Sequence, residues 1–290
     1  MKIKTVGVLG CGTMGSGIAI VVSSAGYKTI ISEISQERID DGLTNIEMFF
    51  AKGVKKGKMT EDENRSAMER IAISTDQNAL ENCQIIIEAI YEDLELKRKI
   101  FAELDRVCPP ETIFATNTSV LSITAIAAGS NRPDRVIGMH FCNPAPLMKL
   151  VELTRALQTS DETYTTAKEF GKSLGKVLVN TKDSPGFIVN LFLIPYNNDC
   201  IRALEAGLAT AEDIDTAVKL GLGYPMGPFE LLDVIGLDVH IAVAEALYEQ
   251  LKDHRFAPPP LAYRMRDAGY LGRKTGRGFY RYDEKSIFGA

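Results

Sequence analysis

The 290-residue chain is poor in the residues that staple or metallate a small fold. Its five cysteines, Cys11, Cys83, Cys108, Cys142 and Cys200, are scattered, odd in number and form no CxxC pair. That excludes a disulfide framework and a cysteine zinc site, and it fits reduced thiols in a cytoplasmic protein. No metal is expected. No apolar run reaches the roughly 18 residues a membrane span needs. A strand-like run, Thr5–Leu9, begins so early that we expect no signal or transit peptide ahead of it, and we read the protein as soluble. Positive charge is not in excess. A net charge of -5 argues against nucleic acid or an anionic membrane as the main partner. There are no internal repeats and no low-complexity tract. What is present is ordinary for a protein with a proper core: 45% hydrophobic and 24% charged residues. The length suits one large domain and a smaller one.

The first two thirds of the chain alternate short apolar runs with longer amphipathic stretches, the pattern of a parallel sheet flanked by helices. Strands are expected at Val6–Leu9, Thr29–Ser32, Ile85–Glu88, Ile113–Thr116, Val136–His140 and Leu150–Leu153. A polar, lysine-rich insertion at about 45–70 reads as a helical hairpin. After Lys182 the strand signal stops. Pro185 suits a first helical turn, Thr210 to Asp213 resembles a capping box with aspartate for glutamate, and Gly221 with Gly223 ends that helix. A long helix to about Asp253 and a rigid Pro258–Pro260 linker follow. The expected fold is α/β, a doubly wound, mostly parallel sheet over residues 1–183, followed by an all-helical domain over 184–290.

Gly10-Cys11-Gly12-Thr13-Met14-Gly15 is a GxGxxG that follows a strand and opens a helix. In a Rossmann-like fold the first glycine permits the tight turn, the second admits a pyrophosphate, and the third lets helix and strand pack. The helix N-terminus then offers N–H groups and positive dipole to phosphates. Glu33 closes the next strand, where a carboxylate accepts from both ribose hydroxyls and repels a 2′-phosphate. NAD is therefore expected rather than NADP, with Arg38 nearby as the one contrary sign.

Of three histidines, His140 ends an apolar strand, where ligands of such sheets bind. It is placed to take a proton from an alcohol during hydride transfer. Glu152 lies in the apolar run Leu150–Leu153 and needs a partner there. His140 is the obvious one, across a turn between adjacent strands, with Glu152 fixing the tautomer and supporting the imidazolium. Ser119 follows another strand and can hold a substrate oxygen or cap a helix, as Ser122 also can. Asn190 is an amide in an apolar helix and calls for partners. An enzyme for a free hydroxy acid or sugar acid, or an NAD-binding protein without activity, would share part of this pattern.

Longer motifs sharpen the reading: Glu88-Ala-Ile-Tyr-Glu-Asp93, Thr116-Asn-Thr-Ser119, His140-Phe-Cys-Asn-Pro-Ala-Pro146, Met148-Lys-Leu-Val-Glu152, Asp183-Ser-Pro-Gly-Phe-Ile-Val-Asn190, Gly223-Tyr-Pro-Met-Gly-Pro-Phe-Glu230 and Lys274-Thr-Gly-Arg-Gly-Phe-Tyr280. With these, essentially the whole chain resembles the 3-hydroxyacyl-CoA dehydrogenases, most closely the stand-alone bacterial members acting on 3-hydroxybutyryl-CoA. The resemblance implies NAD-dependent oxidation of a (3S)-3-hydroxyacyl-CoA and the reverse reduction. It implies that His140 is the general base, Glu152 its partner, Ser119 a ligand of the substrate oxygen and Asn190 a substrate-positioning group. Glu92 would lie near the nicotinamide ribose with Lys97 close by, and Asn117 would join the cofactor site. Lys52, Lys55, Lys56 and Lys58 become candidates for the phosphates of coenzyme A, and the helical domain for a homodimer interface. The chain departs from the family at Leu191, where arginine is usual, at Glu33, where aspartate is frequent, and at Cys142, where phenylalanine is common.

Overall fold

The computed structural model describes residues 2–282. It divides into two compact units between Phe187 and Ile188, a few residues beyond Asp183. In the first unit the order is β1 (Thr5–Leu9), α1 (Thr13–Ser24), β2 (Lys28–Ser32), α2 (Gln36–Lys55), α3 (Glu61–Glu69), β3 (Ile71–Ser74), β4 (Ile85–Glu88), α4 (Leu94–Val107), β5 (Ile113–Thr116), α5 (Ile123–Ala127), β6 (Val136–Phe141), β7 (Leu150–Arg155), α6 (Asp161–Ser173) and β8 (Val177–Thr181).

One eight-stranded sheet runs β3-β2-β1-β4-β5-β6-β7-β8. The first six strands are parallel, β7 is antiparallel to β6, and β8 is parallel to β7. The order reverses between β1 and β4, the switch point at which such sheets bind ligands. The central strands are apolar on both faces. Ile85 and Ile87 join one core cluster with Val6, Val8, Ile113 and Val151, while Ile86 joins another with Phe114, Phe101 and Val136. Burial on both sides explains why these strands read as continuous apolar runs.

Two strands escape the sequence reading. The outer strands β3 and β8 are half-exposed, with Val177 58% and Val179 36% accessible, so they carry no continuous apolar run. The lysine-rich insertion is a helical pair, but its first helix begins at Gln36, under an Ser35 cap that accepts from the Arg38 N–H. Thr60 and Glu63 form a reciprocal capping box on the second.

The second unit contains α7 (Val189–Glu205), α8 (Ala211–Leu222), α9 (Pro228–Ile235), α10 (Leu237–Leu251) and α11 (Pro260–Asp267). Its described residues form no strand, only two isolated bridges around Arg277. Three sequence expectations need correction. The helix near Pro185 starts only at Val189, because Gly186 and Phe187 have φ of +78° and +50°, outside helical space. The long helix before Asp253 is two helices, split by Gly236 at φ +96°. Pro260 is not linker but the first residue of α11, where its missing N–H costs nothing. At Thr210 the cap forms, but Asp213 is too short to reach the backbone N–H and takes the Thr210 hydroxyl instead, at 2.8 Å.

The core of this unit gathers Ile201, Phe229, Leu232, Leu237, Ile241 and Ala262. Beside it His240, 2% exposed, meets Asn198 Oδ1 at 2.9 Å, while the Asn198 amide donates to the Arg255 and Ala257 carbonyls. His240 Nε2 therefore carries the proton, and burial pushes its pKa down from 6.5 to about 4. Because the folded value lies below the unfolded one, the unfolded chain binds the extra proton between these pH values. Stability is complete above pH 6.5 and falls as pH drops toward 4. The full loss amounts to about 3 kcal/mol. Melting temperatures from pH 7 to 4.5 should show this fall flattened in His240→Gln; parallel curves for the two proteins would refute it. No helix among the described residues is long and apolar enough to cross a membrane.

Candidate active site

The turn between β1 and α1 is built around three glycines with different demands. A Cβ on Gly15 would stand 2.0 Å from the Gly10 carbonyl oxygen, and Gly10 itself has φ +99°. These two positions are closed by backbone. Gly12 is exposed, and a Cβ there would meet nothing within 4 Å. Among the described residues, α1 is also the one α-helix of this unit whose N-terminus no side chain caps. At the start of this helix Thr13 is exposed and Met14 half-buried, with Gly15 and Ser16 buried behind them. Uncapped N–H groups, a positive helix end and a missing Cβ are what a pyrophosphate requires. Glu33 follows β2, and its carboxylate accepts from the Cys11 N–H at 3.1 Å and the Ser35 N–H at 3.3 Å. The acid is thereby fixed to the glycine turn, where a dinucleotide ribose would fit and a 2′-phosphate would be repelled.

A second cluster lies past β4 and β5. Glu92 Oε1 accepts from the backbone N–H of Ser119 at 3.0 Å and of Val120 at 3.3 Å, and from the Thr118 hydroxyl. Its other oxygen is 3.2 Å from Lys97 Nζ. Lys97 is 1% exposed, so it acts from beneath Glu92. The sequence alone gave no sign of its deeper partner, Glu88, at 2.5 Å. Ser122, not Ser119, caps α5, and the Asp183 carboxylate closes the same helix end by accepting from Ser122 Oγ, Ile123 N and Thr124 N. Asn117 is a brace: its Oδ1 accepts from the Phe141 N–H at 2.8 Å and ties the end of β5 to that of β6.

The third cluster follows from unequal strand lengths. The pairing of β5 with β6 ends at Thr116 and Gly138, so His140 stands beyond the edge of β5. There its neighbour is β7, and antiparallel register sets it directly opposite Glu152. Directly opposed residues share a face of the sheet. His140 Nδ1 meets Glu152 Oε2 at 2.7 Å. His140 is 9% exposed and Glu152 is fully buried. The Phe187 ring lies 5.8 Å from the imidazole, centre to centre.

Asn190 occupies the first turn of α7 in the second unit, half-buried. Lys52, Lys55, Lys56 and Lys58 are exposed at the C-terminal end of α2 and the turn after it. No group of three or more metal-ligating side chains occurs among the described residues.

A glycine turn at the switch point, with an uncapped helix behind it and a buried acid fixed against it, is the arrangement of dinucleotide-binding proteins of the doubly wound class. Residues 5–184 match the family described as 3-hydroxyacyl-CoA dehydrogenase, NAD binding domain, and residues 186–282 match its C-terminal domain. The chain belongs to the 3-hydroxyacyl-CoA dehydrogenase family and acts on a CH–OH group with NAD. It is similar to a probable 3-hydroxybutyryl-CoA dehydrogenase of Bacillus subtilis, 46% identical over 99% of this chain and 100% of that one. A 3-hydroxybutyryl-CoA dehydrogenase of Bradyrhizobium diazoefficiens is 45% identical over 97% of this chain and 96% of that protein. Among solved structures, (S)-3-hydroxybutyryl-CoA dehydrogenase from Ralstonia eutropha superposes with a TM-score of 0.91 at 44% identity, covering 98% and 100% of the two chains.

Proposed function

We propose that the protein interconverts (3S)-3-hydroxybutyryl-CoA and its 3-keto thioester, with His140 as general base and Glu152 as its partner. The observation that carries this reading is the 2.7 Å contact between Nδ1 and a fully buried carboxylate. A carboxylate only accepts, so Nδ1 holds the proton and Nε2 presents a lone pair. Nε2 takes the hydroxyl proton, and Glu152 balances the imidazolium that results. NAD, when bound, would supply the acceptor for the hydride from C3. In the reverse direction the imidazolium returns its proton to the keto oxygen. Ser119 holds that oxygen and Asn190 positions the thioester. Gly10, Gly12, Thr13, Met14 and Gly15 receive the pyrophosphate, Glu33 the adenosine ribose, and Glu92 the nicotinamide ribose, with Lys97 and Asn117 supporting the last. The exposed Lys52, Lys55 and Lys56 serve the phosphates of coenzyme A.

The substrate rests on the names of full-length relatives at about this similarity. The helical unit exposes Phe192, Leu208, Leu220 and Leu222, each more than 60% accessible, and we assign it the homodimer interface. The buried cysteines and the absence of any membrane-crossing helix among the described residues suit the cytoplasm.

The test is NADH consumption with acetoacetyl-CoA, beside free acetoacetate, and with NADPH in place of NADH. Rapid turnover of the thioester with NADH alone is expected. Turnover of the free acid at an equal rate would replace the thioester reading with a hydroxy-acid dehydrogenase.

A further inference from the structure

The lower end of the Glu92 cluster holds a charge that the proposed chemistry does not use. Glu88 is the last residue of β4, fully buried, in register with Leu9 of β1 and Thr116 of β5. It therefore lies at the switch point on the carboxyl edge of the sheet. Its Oε1 accepts from Lys97 Nζ at 2.5 Å and from the Ile90 N–H at 2.8 Å. Its Oε2 accepts from the Thr116 hydroxyl at 2.7 Å. Lys97 passes the contact on to Glu92, and Glu92 ends it on the Thr118–Val120 turn.

Stability alone does not call for such a pair. Dehydrating two charges is expensive, and apolar residues of similar volume commonly serve a core as well or better. The rest of β4, Ile85, Ile86 and Ile87, is made of such residues. The strand turns from isoleucine to glutamate only where it reaches the ligand edge. The geometry also shows what the charge does. Two carboxylates share one ammonium, and the shorter contact, 2.5 Å against 3.2 Å, is to Glu88. Without that anchor Lys97 loses its fixed place, Glu92 loses the steady ammonium beside its second oxygen, and its hold on the Ser119 and Val120 N–H groups loosens.

We propose that Glu88 is a positioning residue: by holding Lys97 down it keeps Glu92 aligned, and through Glu92 it fixes the turn that presents Ser119. This rests on the reading of Glu92 and Ser119 as facing cofactor and substrate, so the test reads the free protein as well as turnover. Glu88→Gln keeps the shape and removes the charge. Hydrogen exchange at the Ser119 and Val120 amides of the unliganded protein is expected to accelerate about tenfold, with NADH binding weakened severalfold and kcat down about ten- to a hundredfold.

The double variant Glu88→Gln/Lys97→Met removes both buried charges together and should melt near the wild type. Its exchange rates and kcat should stay as impaired as in the single variant, because the two residues act as one unit. Wild-type exchange at Ser119 and Val120 in that folded double variant would overturn the proposal. So would faster exchange with NADH affinity and kcat within twofold of wild type, since the brace would then serve the fold alone. If the wild type turned over no 3-ketoacyl thioester, the functional reading would fail separately, and exchange and NADH binding would still decide the role of Glu88.

Discussion

Replacing His140 with alanine is expected to lower kcat by about 10²–10⁴ while NADH binding stays at its wild-type strength. The separation follows from the topology. His140 belongs to β6, and its ladder partner at that level is β7, whereas the pyrophosphate turn belongs to β1 and α1. Truncating the imidazole opens a small space beside the Phe187 ring and leaves the glycine turn untouched. It also leaves Glu152 buried without its Nδ1 donor. Some stability is therefore lost as well, and the rate should be measured well below the melting temperature. Glu152→Gln is the companion change. The amide preserves volume but cannot balance an imidazolium, so kcat falls here too and KM for the thioester changes little. Steady-state kinetics with fluorescence titration of NADH separates the two quantities. Near-normal turnover in either variant would remove the pair from the mechanism.

The second large effect comes from one chemical change made at two neighbouring glycines. In Gly15→Ala the new methyl would stand 2.0 Å from the Gly10 carbonyl oxygen, and Gly10 is itself fixed at φ +99° with Ala89 close behind. No flexible side chain can give way, so the fold must yield. A loss of about 3 kcal/mol and roughly 10 °C in Tm is expected. In Gly12→Ala the methyl meets nothing within 4 Å, and φ of -70° suits alanine. Its Tm should move by less than about 2 °C, while NADH affinity falls at least tenfold, because the methyl fills the space before the first turn of α1. Differential scanning fluorimetry with and without NADH distinguishes the two. Equal affinity in Gly12→Ala and wild type would place the pyrophosphate elsewhere.

The parts of this fold that are legible in sequence are those where burial leaves one choice. β1, β4, β5 and β6 are enclosed on both faces, so their residues are nearly all apolar and their ends are abrupt. β3 and β8 are outer strands with one side in solvent, and Ser74, Asn180 and Thr181 dilute their signal. The start of α7 was obscured for another reason. Pro185 suggests a first turn, but Gly186 and Phe187 take left-handed angles that no propensity rule assigns to phenylalanine. At the site, His140 and Glu152 could be paired because an isolated acid in an apolar strand demands a partner. Glu88 could not be singled out in that way. It follows three isoleucines just as Glu152 follows apolar residues, yet its counter-ion sits nine positions on, in a helix that reads as amphipathic surface. By pattern alone Lys97 looks like one more solvated charge; the family resemblance sets it near Glu92, but its burial against Glu88 appears only in the tertiary fold.

The overhang of β6 past β5 has a consequence for how the family can vary. The acid–base pair is encoded in the alignment of two neighbouring strands, not in the loop that joins them. The loop over 142–149 can lengthen or shorten and still return Glu152 to its place. A single residue inserted inside β7 would instead turn that carboxylate to the opposite side of the sheet. Insertions and deletions in this stretch are therefore sorted by where they fall rather than by how large they are: a long one between the strands is a change of surface, and a one-residue one within a strand is a loss of chemistry.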